Sequence, residues 1–163
     1  LYAASEVNAK VGDGTAVKII EETNYPFSET IKFKISTKKN VEFPLYRRIP
    51  GWCDDPALLI NKESVNIGAL PSSYIKITRT WADGDEIELQ LKMKVSVHVW
   101  KDNKNAVSVN YGPLTFSLKI SERWVQYGQN KKLPEWEVFP TSPWNYGLII
   151  DETNPSKSFD VVR

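Results

Sequence analysis

Thr30-Ile31-Lys32-Phe33-Lys34-Ile35 alternates without a break. Ile31, Phe33 and Ile35 fall on one side, and Thr30, Lys32 and Lys34 on the other. Successive side chains of a strand point to opposite faces, so this pattern describes a half-buried antiparallel strand. Moving outward, Lys38-Lys39-Asn40 is a charged turn, and Val41, Phe43 and Leu45 carry the next inward face. Pro44 has the opposite parity; it brings no backbone donor, which predicts an edge strand or a bulge. Upstream, Val7, Ala9 and Val11 share one parity, Gly12-Asp13-Gly14 turns the chain, and Val17 and Ile19 resume the alternation. The two segments read as a hairpin. Asn24-Tyr25-Pro26-Phe27 ends it, with Pro26 biasing Tyr25 toward an extended conformation.

Arg47-Arg48-Ile49-Pro50-Gly51-Trp52-Cys53 is the least generic string in the chain. Proline donates no hydrogen bond and glycine reaches angles that other residues avoid, so a strand stops at Pro50-Gly51. Trp52 is expected to plug the end of a core, with its indole N–H on a nearby carbonyl. Asp54-Asp55-Pro56 reads as a loop, and Ala57 to Ile60 as a short apolar run ending at Asn61. Ser73 to Trp81 alternates through Tyr74, Ile75, Ile77 and Arg79, and Trp81 closes it. Asp83-Gly84-Asp85 is the strongest local hairpin signal. Glu86 to Leu91 follows with Ile87, Leu89 and Leu91 inward, then Lys94 to Trp100 with Val95, Val97 and Val99 on one parity. Ala106 to Val109 and Leu114 to Ile120 flank Asn110-Tyr111-Gly112-Pro113. Pro50, Gly51, Trp52, Trp81 and Gly84 are therefore structural residues.

No window longer than a turn has helical period. Roughly eight to ten strands at about 8–12-residue spacing predict an all-β fold, an antiparallel two-sheet β-sandwich of jelly-roll type. Its core spans about residues 1–120 within a single domain of residues 1–163. From Ser121 the texture changes: Trp124, Tyr127, Trp136, Phe139, Trp144 and Tyr146 come with Pro134, Pro140 and Pro143. Residues 121–163 read as an irregular, aromatic-rich segment packing on the sandwich, with Leu148-Ile149-Ile150 a candidate short strand. The start on Leu1 without methionine and the apolar finish at Phe159, Val161 and Val162 predict a piece excised from a larger multidomain protein, any targeting segment left behind.

The 163 residues are 41% hydrophobic and 25% charged, with a formal net charge of +1. Near-neutral charge leaves no footprint for nucleic acid or an anionic membrane surface. No apolar run approaches the roughly 20 residues of a membrane helix. One cysteine, Cys53, rules out an internal disulfide and decides nothing about compartment.

His98 is the sole histidine, so a Ser-His-Asp system or a His-rich zinc site would rest on it. Placed mid-strand between Val97 and Val99, it reads as solvent-facing or hydrogen-bonded. Cys53 as a nucleophile needs a neighbouring base or positive charge. Alternation sends Arg47 and Arg48 to opposite faces, and a buried inert thiol beside Trp52 is the simpler reading. The carboxylate pairs Asp54-Asp55, Asp83/Asp85, Glu21-Glu22 and Glu135/Glu137 lie in turns or on polar strand faces, where acids are ordinary. A glycosidase needs two across a cleft. Asp83-Gly84-Asp85 lacks the further oxygens of a calcium loop. No phosphate loop, dinucleotide fingerprint or paired-cysteine metal motif occurs. Aromatic residues, at 12%, leave two readings of Trp124, Trp136, Trp144 and Tyr146. They stack on sugar faces, with nearby Asn, Asp or Glu fixing hydroxyls, or they dock and pack on protein.

Leu1-Tyr2-Ala3-Ala4-Ser5-Glu6-Val7, Glu22 to Phe27, Leu45 to Cys53, Arg79 to Asp85 and Tyr111-Gly112-Pro113-Leu114 follow in an order and spacing that resemble the β-sandwich region of glycoside hydrolase family 127. This is the β-L-arabinofuranosidase-like family, first catalogued as a domain of unknown function. Trp136 to Pro140 and Ser142 to Leu148 resemble the tail of a subgroup. The resemblance implies that catalysis belongs to an (α/α)6 barrel preceding this region. A cysteine nucleophile there lies in a zinc site of further cysteines and a glutamate, with a glutamate acid/base. That motif belongs just upstream of Leu1; Cys53 does not match it, and no catalytic or metal residue carries over. The implied role is a non-catalytic accessory domain bracing the barrel of the same parent chain, with no cofactor of its own. The alternative is a carbohydrate-binding module using Trp124, Trp136, Trp144 and Tyr146 on a glycan. The family implies a periplasmic or secreted location in a glycan-degrading bacterium.

Overall fold

The computed structural model describes residues 2–68, 70–128, 130, 132–151 and 153–162. The chain divides into two compact units, Leu1–Lys94 with Gly112–Leu114, and Val95–Tyr111 with Thr115–Arg163.

The first unit contains β1 (Ser5–Val11), β2 (Thr15–Thr23), β3 (Thr30–Thr37), β4 (Val41–Arg48), β5 (Pro56–Ile60), β6 (Glu63–Val65), β7 (Tyr74–Trp81) and β8 (Glu86–Leu91). Six of them form an antiparallel sheet in the order β1-β2-β3-β8-β5-β6, while β4 and β7 form a separate ribbon. The alternation decides which side chains meet. Ile31, Phe33 and Ile35 from β3 and Ile87, Leu89 and Leu91 from β8 join Phe43 and Leu45 of β4 and Ile75 and Ile77 of β7 in one buried cluster. Sheet and ribbon thus form the two layers that the sequence predicts. A fully buried side chain of this size contributes roughly 1.5–3 kcal/mol of transfer free energy. Trp81 is wholly buried, donates its indole N–H to the Phe43 carbonyl at 3.0 Å and lies 5.9 Å from the Phe43 ring. Pro44 sits in β4, a strand that pairs only with β7 among the described residues, as its missing donor requires.

Asp83-Gly84-Asp85 does turn the chain, with Gly84 at φ +83, but not into a hairpin. β7 belongs to the ribbon and β8 to the large sheet, so the turn is a corner between layers. Side chains and β3 hold it. Asp85 Oδ2 accepts the Ala82 N–H at 2.9 Å, Asp83 Oδ1 accepts the Thr37 N–H at 3.0 Å, and the Ile35 N–H reaches the Asp85 carbonyl at 2.9 Å. A tight hairpin follows β5, where Asn61 and Lys62 take φ of 52° and 71° and link directly to β6. Positive φ at both positions of a two-residue loop matches the twist of the strands it joins. Asn61 also ties that loop to β8. Its Nδ2 donates to Asp85 Oδ1 at 2.8 Å, and its Oδ1 accepts the Glu86 N–H at 2.9 Å.

The second unit holds β9 (Val95–Trp100), β10 (Ala106–Tyr111) and, from Thr115 on, β11 (Leu114–Phe116) in a three-stranded sheet, and the hairpin β12 (Glu122–Tyr127) with β13 (Glu135–Pro140). Hydropathy shows no strand period over residues 121–147, yet these two strands pair in register, Trp124 opposite Val138 and Gln126 opposite Trp136. Both faces of the hairpin mix aromatic and charged residues, which erases the period-2 signal. Leu148-Ile149-Ile150, a candidate strand by composition, has no regular structure, and the strand expected over residues 114–120 ends at Phe116.

Asp85→Ala removes the acceptor that closes the corner and strands the Ala82 N–H and the Asn61 amide. Urea unfolding should show a loss of about 1–3 kcal/mol. A change under about 0.5 kcal/mol, the range of ordinary surface substitutions, would mean that the backbone bonds to β3 hold the corner alone.

Candidate functional site

The Arg47 to Cys53 string turns at the end of β4. The Ile49 N–H bonds to the Ser73 carbonyl at 2.8 Å, and the Cys53 N–H closes the turn on the Pro50 carbonyl at 3.2 Å. Gly51 has no left-handed φ to explain it; a Cβ there would stand 2.7 Å from the Ser72 hydroxyl oxygen. Trp52 is half-buried and packs against the core cluster, as expected of a plug. Burial pushes the Tyr25 phenol up. Tyr2 joins the group, its ring 5.1 Å from Tyr25 and its hydroxyl donating to the Arg48 carbonyl at 2.9 Å.

None of the catalytic candidates assembles into a reacting set. Cys53 is fully buried, and burial pushes its thiol up, which keeps it protonated and inert. Asp55 pairs with Lys92 at 2.5 Å and Asp54 with Lys94. Asp83 and Asp85 are occupied in the corner. Glu22 lies opposite Lys32, which lies opposite Glu88, a cross-strand charge ladder on the outer face. Glu135 and Glu137 are exposed on one face of β13. His98 is exposed and meets Trp100 edge-on at 4.4 Å. Among the described residues no three His, Cys, Asp or Glu side chains come together as metal ligands, and no helix is long and apolar enough to cross a membrane.

Among the described residues, Glu21 and Arg47 stand out as charges at inward-facing positions. Both share the parity of the core-facing residues of their strands, Glu21 with Val17 and Arg47 with Leu45. Glu21 is 8% exposed. Its Oε1 and the Arg47 Nε are buried without a hydrogen-bond partner. The Arg47 guanidinium lies 3.7 Å over the Phe33 ring, and Phe33 is the cross-strand partner of Glu21. Burial pushes the Glu21 carboxyl up, with the Arg47 charge opposing; burial pushes Arg47 down, with Glu21 opposing.

The four aromatic candidates fall in two places within the second unit. Trp124 and Trp136 share one face of the β12–β13 hairpin, rings 6.3 Å apart at 72°. The Trp124 indole donates to Glu122 Oε2 at 2.8 Å. Trp144 and Tyr146 instead line an open groove of about 1050 Å³ with Val107, Phe116, Leu118 and Leu148. Among the described residues of this unit only Val95 and Val109 are buried.

An all-β module with a closed core in its first unit and the aromatic side chains of its second unit exposed is the class of protein that these features define. The chain belongs to glycoside hydrolase family 127: the model for the beta-L-arabinofuranosidase, GH127 middle domain, matches residues 1–93. Among solved structures it is similar to a GH127 β-L-arabinofuranosidase from Geobacillus stearothermophilus T6, at 25% identity and a TM-score of 0.64, over 86% of this chain and 29% of that one. It shares its fold with a structure described as a glycoside hydrolase, at 22% identity, a TM-score of 0.65, and 93% and 30% coverage. It also shares it with the GH127 β-arabinofuranosidase BT3674, at 20% identity, a TM-score of 0.61, and 86% and 27% coverage. The chain thus spans under a third of the length of these structures. No curated protein matches it.

Because the folded carboxyl of Glu21 ionises above its ordinary value of 4.5, its contribution to stability is present below that pH and lost as pH rises through the raised value. Glu21→Gln should therefore unfold at a higher urea concentration than the parent sequence at pH 7, with the difference vanishing near pH 4. A lower midpoint at pH 7 would show that attraction to Arg47 outweighs desolvation.

Proposed function

We propose that this chain is a non-catalytic accessory module of a family 127 glycoside hydrolase, bracing that enzyme's (α/α)6 catalytic barrel. The observation that carries this reading is the second unit's apolar surface. Trp144 (63% exposed), Tyr146 (66%) and Leu148 (53%) rim a wide groove in a unit that, among its described residues, buries two side chains. Soluble proteins rarely leave that much contiguous apolar surface open without a partner. The zinc that the family implies does not fit this chain: its only cysteine is enclosed in the core, and no ligand group forms among the described residues. Zinc, nucleophile and acid/base are accordingly assigned to the parent's catalytic domain, and the enzyme to the periplasm or the exterior.

Reconstitution tests the reading. The 163-residue chain alone should not turn over an aryl arabinofuranoside, and it should bind the separately expressed catalytic domain. Leu148→Lys should weaken that binding roughly tenfold or more, about 1.4 kcal/mol. Turnover by the chain that Cys53→Ala abolishes, or binding indifferent to Leu148→Lys, would contradict it.

A further inference from the structure

We infer that one face of the β12–β13 hairpin is a carbohydrate-binding surface, separate from the groove assigned to bracing. Glu122, Trp124 and Gln126 on β12 and Trp136 and Val138 on β13 project to the same side, as the register requires. Trp124 is 57% exposed and Trp136 48%. Their rings stand at 72°, so they form the two walls of a corner. A sugar ring suits such a corner: its C–H face lies flat on one indole while its rim meets the other. Its hydroxyls then require donors and acceptors beside the rings. The face provides both. The Gln126 amide donates and accepts, and Glu122 has an oxygen to spare, since only Oε2 holds the Trp124 indole. That bond also fixes the Trp124 ring, which lowers the ordering cost of a ligand stacking on it.

The carboxylate and amide beside the two rings match the donor and acceptor hydroxyls that a sugar presents around its apolar face. Membership in a carbohydrate-active family places glycans within reach of the module. The opposite face of the hairpin carries Arg123, with its guanidinium 5.0 Å from the Phe139 ring, together with Glu135 and Glu137, and forms no comparable corner.

The test is an NMR titration of the indole N–H resonances of the 163-residue chain, with an arabinofuranosyl oligosaccharide and a glucose-based one as probes. At least one should give saturable shifts of the Trp124 and Trp136 signals, assigned through Trp124→Phe and Trp136→Phe, with a dissociation constant on the order of 1 mM. Gln126→Ala, a surface change that leaves both rings in place, should weaken binding roughly tenfold. Trp144→Ala should leave it unchanged. No saturable shift with either sugar overturns the assignment, as does a response that follows Trp144. Protection of the same two indoles by the parent's catalytic domain, without any sugar response, would make this face a protein contact. Bracing is read separately, from binding of the catalytic domain at the groove, so either idea can fail alone.

Discussion

Burial of Trp81 between the ribbon and the large sheet is the constraint on which the first unit depends. Its ring is fully enclosed, and its one polar atom is satisfied by the Phe43 carbonyl on the neighbouring strand, so the largest side chain of the core carries no unpaired donor. It ends β7, the last residue before the chain leaves the ribbon for the corner at Asp83 to Asp85. Packing and chain direction are therefore set within a few residues of each other. Once the corner delivers β8 between β3 and β5, Ile87, Leu89 and Leu91 land on the face that the ribbon covers.

The two units stand in contrast. The first satisfies its own surface: an apolar cluster inside, a Glu-Lys ladder outside, and a turn chemistry that closes each junction. The second has strands but almost no interior. A two-stranded hairpin is marginal by itself in water, and here its aromatic residues stay half-exposed. A module built this way is closed on itself in one part and offers surface in the other.

Much of the first unit is legible in the sequence because period-2 alternation is a direct consequence of strand geometry. Ile31, Phe33 and Ile35 announce a buried face, and burial confirms it residue by residue. Sheet membership is not legible. Asp-Gly looks the same whether the strands beside it pair with each other or part into two layers, and here Asp85, Asn61 and Ile35 decide, from positions far apart in the chain. The two-residue loop at Asn61-Lys62 left a faint sign in its asparagine, a residue that tolerates positive φ. Glu21 and Arg47 did carry a signal, since each is a charge at an inward parity. The candidate aromatics are visible in the composition, but their division into Trp124 with Trp136 and Trp144 with Tyr146 is set by a hairpin register that their mixed faces conceal.

Amide hydrogen exchange on the chain by itself tests the central contrast most directly, because protection reports local opening element by element. The amides of Ile31, Phe33, Ile87 and Leu89, in paired strands over the buried cluster, should exchange slowest, and those of β12 and β13 should exchange far faster. Equal protection in both units would contradict the account, since it would show that the second unit is stable without anything to cover it.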